Sequence, residues 1–212
     1  MSVSAQRRGT KPPETRRQEI LDAAIQLFDE TGYDQTTVQH IAQAAGVAAG
    51  TVYLYFPSKE HVLLTLHEEV HDGIESALQA TFDRLWQRVE EGGGPDDASL
   101  ELMVDAMVDT VVAFVRDNHA KTSVICRFSP RLPPVAVDDH HHHTSAYLAA
   151  ALQLGRDLGR VEVSDPEMAA QLLEASLTGP LSQMVVAGDT ASVDRLAAQA
   201  KEFFLKALAP RS

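Results

Sequence analysis

His67-Glu68-Glu69-Val70-His71 spells H-E-x-x-H. On a helix the two histidines share a face, as a zinc-binding pair does, and Glu68 would be the general base of a metal-dependent hydrolase. Such a centre needs a third ligand, and no matching motif follows at the spacing that enzyme class requires. A second candidate is Asp138-Asp139-His140-His141-His142-His143. Four consecutive histidines on a helix cannot all face one ion; at most a pair such as Asp139 and His143, four residues apart, shares a side. The run also reads as a solvated loop-to-helix start whose aspartates favour a helix N-terminus, or as a pH-sensitive cluster. A metal-binding or zinc-dependent protein built on His67, Glu68 and His71, or on His140 to His143, is thus one alternative. No catalytic triad, P-loop or dinucleotide fingerprint appears. No catalytic residue, cofactor or metal ligand is therefore assigned, and the chain is not expected to be an enzyme.

The remaining chemistry is recognition of a polyanion. Residues 1–17 carry Arg7, Arg8, Lys11, Arg16 and Arg17 against Glu14 alone, a local +4 in a 212-residue chain of net charge −12. The rest of the chain holds 13 of the 18 basic and 29 of the 30 acidic side chains, a net −16. Charge segregated in this way suggests a basic arm that meets a polyanion, with a merely solubilising tail as the alternative. An acidic average alone argues against nucleic acid, so any such binding must be aimed. With 44% apolar residues the chain can bury a substantial core. One cysteine excludes a disulfide framework and fits a reducing, cytoplasmic setting. No apolar run approaches the ~18 residues of a membrane span, and the first residues lack a signal-peptide core.

The elements that would position these groups are helical throughout. Pro12-Pro13 delays the first helix to Glu14 or Thr15, where Thr15 and Gln18 have capping-box spacing, and Ile20, Leu21, Ala24, Leu27 and Phe28 form its apolar face. Gly32 ends it. Thr36 and Thr37 offer the next N-cap, Gly46 forces a turn, and a short helix over about 48–56 stops at Pro57. Ser58 caps a long helix with apolar residues every three or four positions to Val89. Residues 92–97 are a loop. Helices follow over about 100–117, 119–128, 139–159, 165–187 and 191–208, with 129–137 a proline-bent connection and Ser164 and Glu167 a second capping box. No alternating β pattern appears, so the fold class is all-α with about nine helices.

Two short helices around Gly46-Val47 have the dimensions of a helix-turn-helix. Within them, Thr36-Thr37-Val38, Ile41-Ala42, Ala45-Gly46-Val47, Gly50-Thr51, Tyr53-Leu54-Tyr55-Phe56 and Ser58-Lys59-Glu60 fall in order. The preceding helix adds an Arg-rich start, Ile20-Leu21 with Ala23-Ala24, Leu27-Phe28 and Gly32-Tyr33. This stretch of about 50 residues closely resembles the DNA-binding domain of TetR-type transcriptional regulators. The resemblance implies a basic arm (1–13), a helix-turn-helix domain (14–57) and an effector-binding and dimerisation domain (58–212). It implies a ligand-responsive regulator, most often a repressor, that binds palindromic operator DNA as a homodimer and is released by a small molecule.

Position by position, Thr37 or Thr36 would meet a phosphate or simply cap its helix. Gln39 would reach a base edge, or complete a capping box with Thr36. Gly50 permits close backbone approach, Thr51 and Tyr53 are placed for base or phosphate contact, and Tyr55 and Lys59 for phosphate. Arg7, Arg8, Arg16 and Arg17 supply the basic start. Ala48 stands where the family often has serine, and Ala49 and Leu54 offer no hydrogen bond, so methyl contacts and shape readout should carry a large share of specificity. The resemblance places an effector pocket between helices 58–187, where Phe82, Trp86, Met103, Met107, Phe114, Phe128 and Tyr147 would suit an apolar or aromatic ligand, although such residues more often belong to the core and mark a region, not contacts. It also places the dimer interface on the last two helices, whose apolar positions include Met168, Leu172, Ala175, Leu181, Met184, Val193, Leu196, Phe203, Phe204 and Leu208. Those residues could equally cap an intramolecular core.

Overall fold

The computed structural model describes residues 12–91 and 99–209, and the side chains of residues 89, 90, 134–144 and 147 lie outside that description. Among the described residues there are nine α-helices and no strand. Contacts divide them into two compact units, one up to Val62 and one from Leu63 onward.

The first unit contains α1 (Pro13–Thr31), α2 (Val38–Ala44), α3 (Ala49–Tyr55) and the opening turn of α4 (Lys59–Glu90). Its core is the apolar face of α1, with Ile20, Leu21, Ala24 and Phe28 buried together with Tyr33, Ile41, Val52 and Phe56. α1 starts at Pro13, with Pro12 at the N-cap and no side-chain cap. The capping box expected from Thr15 and Gln18 is therefore not formed, because a proline at the first helical position is already set to the helical φ; Gln18 instead hydrogen-bonds Asp22. Thr37 caps α2, its hydroxyl accepting from the His40 amide at 3.2 Å. α2 ends in a Schellman turn, with Gly46 at φ +65°, its N–H bonded to Gln43 O and the Val47 N–H to Ala42 O. That left-handed turn sends the chain into α3, whose Ala48 N-cap offers no side-chain oxygen.

The second unit runs from Leu63 on α4 through α5 (Leu100–Asp117), α6 (His119–Phe128), a 3₁₀ turn (Ser129–Arg131), α7 (Pro134–Asp157), α8 (Pro166–Ala187) and α9 (Thr190–Leu208). α8 packs against α6, α7 and α9, and α5 against α9. Ser99, Asp165 and Asp189 cap α5, α8 and α9 through the amides of Leu102, Met168 and Ser192. Asp165, and not Ser164, is thus the cap of α8, since it immediately precedes the first-turn Pro166. α7 begins at Pro134, five residues ahead of the sequence expectation; Pro133-Pro134 initiates the helix where it was read as a bend. His140 to His143 therefore fall inside α7, and their side chains lie outside the described residues. Leu181, Val193, Phe204 and Leu208 are buried in this unit's own core. Met168, Leu172, Val186 and Phe203 are exposed, Leu172 at 64% and Phe203 at 58%. The last two helices thus carry an inner apolar face and a second, uncovered one. No described helix is long and apolar enough to cross a membrane.

Candidate functional site

In the first unit, the residues of the candidate reading surface divide into those that build the scaffold and those that face outward. Thr36 is fully buried, donates to Gly32 O at 2.8 Å and lies 3.0 Å from the Thr31 hydroxyl. Its hydroxyl is used inside the loop between α1 and α2, which removes it as a phosphate ligand and leaves exposed Thr37 for that position. Because Thr37 is the cap, the capping-box position is His40 and not Gln39, and the Gln39 side chain is exposed. On α3, Val52 is buried and Phe56 follows it into the core, while Tyr53 is 49% and Leu54 83% exposed. Ala49, Thr51 and Tyr55 are half-buried, and the Tyr55 ring lies 6.5 Å from that of Phe56. A Cβ added at Gly50 would meet no atom within 4 Å. The outward surface of α3 is therefore bare backbone at Gly50, hydroxyls at Thr51 and Tyr53, and one isobutyl group at Leu54.

The basic residues have intramolecular partners. Arg16 pairs with Glu19 at 2.8 Å, and Arg17 lies over the Phe56 ring at 5.7 Å. The Lys59 ammonium donates to Tyr33 O at 2.7 Å and sits 4.2 Å from the Tyr33 ring centroid. It ties the start of α4 to the α1–α2 loop, so its first role is to hold the helix-turn-helix together. A hydrogen bond from Ser58, helped by its own backbone N–H, holds the Glu60 carboxyl below the usual carboxylate range. This keeps a negative charge beside Lys59. Arg7 and Arg8 lie outside the described residues.

The second unit encloses a cavity of about 270 Å³. Of the aromatic and methionine set expected there, Phe82 and Met107 line it. Met103 lines a smaller apolar cavity of about 40 Å³ that shares Phe82 and Met107. Trp86, Phe114 and Phe128 line neither. Phe114 packs so closely on α4 that a Cβ on Gly73 would stand 2.6 Å from its ring, and the Arg127 guanidinium covers the Phe128 ring. The side chain of Tyr147 lies outside the described residues. Aliphatic side chains form most of the wall, with a polar set that sequence reasoning did not assign to it: His67, His71, Thr122, Cys126, Glu174, Thr178 and Ser182. The H-E-x-x-H histidines thus face this cavity, their rings 4.3 Å apart. Among the described residues no three His, Cys, Asp or Glu side chains are grouped to hold a metal ion. Burial pushes the Cys126 thiol up from its usual value, partly offset by a hydrogen bond with Ser182. The readable signal was periodic: Glu174, Thr178 and Ser182 recur every four residues on α8, as Thr122 and Cys126 do on α6.

Comparison with known proteins agrees with both units. Residues 20–66 match bacterial regulatory proteins of the tetR family, and residues 99–208 match the tetracyclin repressor-like C-terminal domain. The fatty acid metabolism regulator protein of Bacillus subtilis is 51% identical over 51 residues, 24% of this chain and 26% of that protein. The HTH-type transcriptional repressor AcnR of Corynebacterium diphtheriae is 26% identical over 185 residues, 85% of this chain and 87% of that one. The first three curated relatives are matched over 26%, 52% and 43% of their own length. A bacterial regulatory protein in the tetR family from Rhodococcus RHA1 shares the fold, with a TM-score of 0.71 at 23% identity over 93% of this chain and 98% of that one. With the C-terminal domain match covering more than half of its length and the helix-turn-helix match preceding it, the chain belongs to the tetR family of bacterial regulatory proteins.

Proposed function

We propose that the protein is a homodimeric, ligand-responsive repressor that binds a palindromic operator through α3 and releases it when a small molecule occupies the cavity of the second unit. The observation that carries this reading is α3 itself. Val52 and the following Phe56 anchor it in the core while Tyr53 and Leu54, with the bare backbone at Gly50, face solvent. Thr51 and Tyr53 supply hydroxyls for phosphates or base edges, and Leu54 supplies a methyl-bearing surface for thymine. Thr37, at the start of α2, offers a hydroxyl to the backbone, and the arm carrying Arg7 and Arg8 adds charge that the acidic remainder lacks.

Family membership supports the dimer, and the uncovered Met168, Leu172, Val186 and Phe203 on α8 and α9 supply an apolar surface for it. Two copies of α3 about one helical turn, roughly 34–36 Å, apart would read a palindrome. A ligand releases DNA only by its differential affinity for conformations with compatible and incompatible α3 spacing. Such a protein acts on the chromosome in the cytoplasm. A mobility shift with DNA upstream of its own gene tests the reading. Wild type is expected to shift that DNA in preference to random duplex, and Tyr53→Ala to weaken the shift without lowering the melting temperature. Equal binding by both proteins would contradict the role given to α3.

A further inference from the structure

The cavity of the second unit has a histidine end and, farther along α4, an apolar wall. On α4, His67 and His71 lie one to four turns ahead of Ile74, Leu78 and Phe82, all of which line the wall. α6 brings Thr122 and Cys126 to the histidine end, where Lys121 pairs with Glu69 of α4 at 2.7 Å. Cys126 in turn hydrogen-bonds Ser182 of α8. Thr122 is only 5% exposed, and among the described residues its hydroxyl has no hydrogen-bond partner. A buried hydroxyl left in that state is costly, and a helical threonine ordinarily bonds the carbonyl one turn back. Among the described residues no Lys or Arg lines the cavity and Glu174 is the one carboxylate, which already accepts from the Ser145 hydroxyl. Glu174 lies two turns, about 12 Å, before Ser182 along α8. An anionic head would thus meet no permanently charged cation among the described residues, only the His67 and His71 imidazoles, and a cationic head would find at the histidine end only Glu69, which Lys121 already holds.

We propose that this cavity takes an uncharged amphiphile. Its single neutral hydrogen-bonding head, a hydroxyl or phenol, bonds Thr122 beside His67 and His71, and its apolar body lies toward Leu78 and Phe82. This rests on reading the cavity as the effector site. The volume of about 270 Å³ suits a body on the order of ten non-hydrogen atoms, taking a liquid-water share of about 30 Å³ for each.

Calorimetry on the full-length protein with 1-octanol, octanoate, octylamine and butylbenzene tests the assignment. Octanol is expected to bind about tenfold or more tightly than either charged probe. Thr122→Val keeps the shape and removes the orphaned hydroxyl, so the unliganded variant should melt no lower than wild type. It should weaken octanol by about two- to tenfold and leave butylbenzene unchanged, and Thr122→Ser should restore octanol. Octanoate or octylamine matching octanol, an unchanged octanol affinity in Thr122→Val, or no octanol binding at all would overturn the proposal. The measurement does not involve DNA. Octanol that binds without altering operator affinity refutes the effector reading and leaves the ligand class standing.

Discussion

Gly50 separates what α3 needs in order to fold from what it needs in order to meet DNA. It is the second residue of α3, it is exposed, and a Cβ built on it meets no atom within 4 Å. Gly50→Ala therefore introduces no clash within the unit and removes backbone freedom from the unfolded chain, a gain of about 0.4–1 kcal/mol. For a protein of this size that raises the melting temperature by roughly 1–4 °C. Against DNA the sign reverses. An extra methyl in a close-packed contact costs about 1–3 kcal/mol, and a dimer presents it twice, so operator affinity should fall about tenfold or more. Gly46→Ala is the control. Its Cβ also meets open space, but φ is +65°, so the substitution costs on the order of 1 kcal/mol in strain and lowers the melting temperature. Circular dichroism melts and fluorescence anisotropy with an operator duplex read both quantities. Gly50→Ala binding as tightly as wild type would rule out close backbone approach to DNA at this position, and melting lower would rule out open space for its Cβ.

Deleting residues 1–13 removes Arg7, Arg8 and Lys11, so the slope of log affinity against log salt should shrink by up to about 3 per protomer; an unchanged slope excludes a role for the arm. Leu172→Glu and Phe203→Glu place charge on the uncovered apolar positions of α8 and α9, and sedimentation should show monomer with helix content retained; persistent dimers would locate the interface elsewhere. Cys126 should react slowly with iodoacetamide, with its inflection above the usual thiol value of 9.0, because burial disfavours the thiolate. By the same linkage the thiol binds its proton more tightly in the folded chain, so its contribution to stability is present below pH 9.0 and is lost as pH rises through the raised folded value. Reaction at the rate and pH of an exposed thiol would contradict the burial.

Much of the reading unit was legible because its signals are local. Gly46 needed only its neighbours to specify a turn, and Ile20, Leu21, Ala24 and Phe28 entered the core that their helical spacing assigned them. Where two adjacent residues competed, periodicity could not decide: Thr36 went inside and Thr37 became the cap because of contacts with Gly32 and Thr31. The cavity was least legible. Aromatic type alone selected Phe114, yet what fixes that ring is the missing side chain of Gly73 on another helix. His67 and His71 suggested a metal pair from spacing, while their shared environment with Thr122 and Cys126 arises only when α6 packs by α4. Pro134 misled for a different reason, since the same ring that breaks a helix interior also starts a helix.

A dimer of this kind should bind its operator sequence-specifically and leave it when the cavity is filled. Footprinting of purified protein on the DNA upstream of its own gene, at physiological salt, reads both properties. A palindrome with half-sites about one turn apart should be protected, and the protection should be lost when an uncharged amphiphile fills the cavity. Protection no stronger than on random sequence, or a single unpaired half-site unaffected by any cavity ligand, would contradict this behaviour.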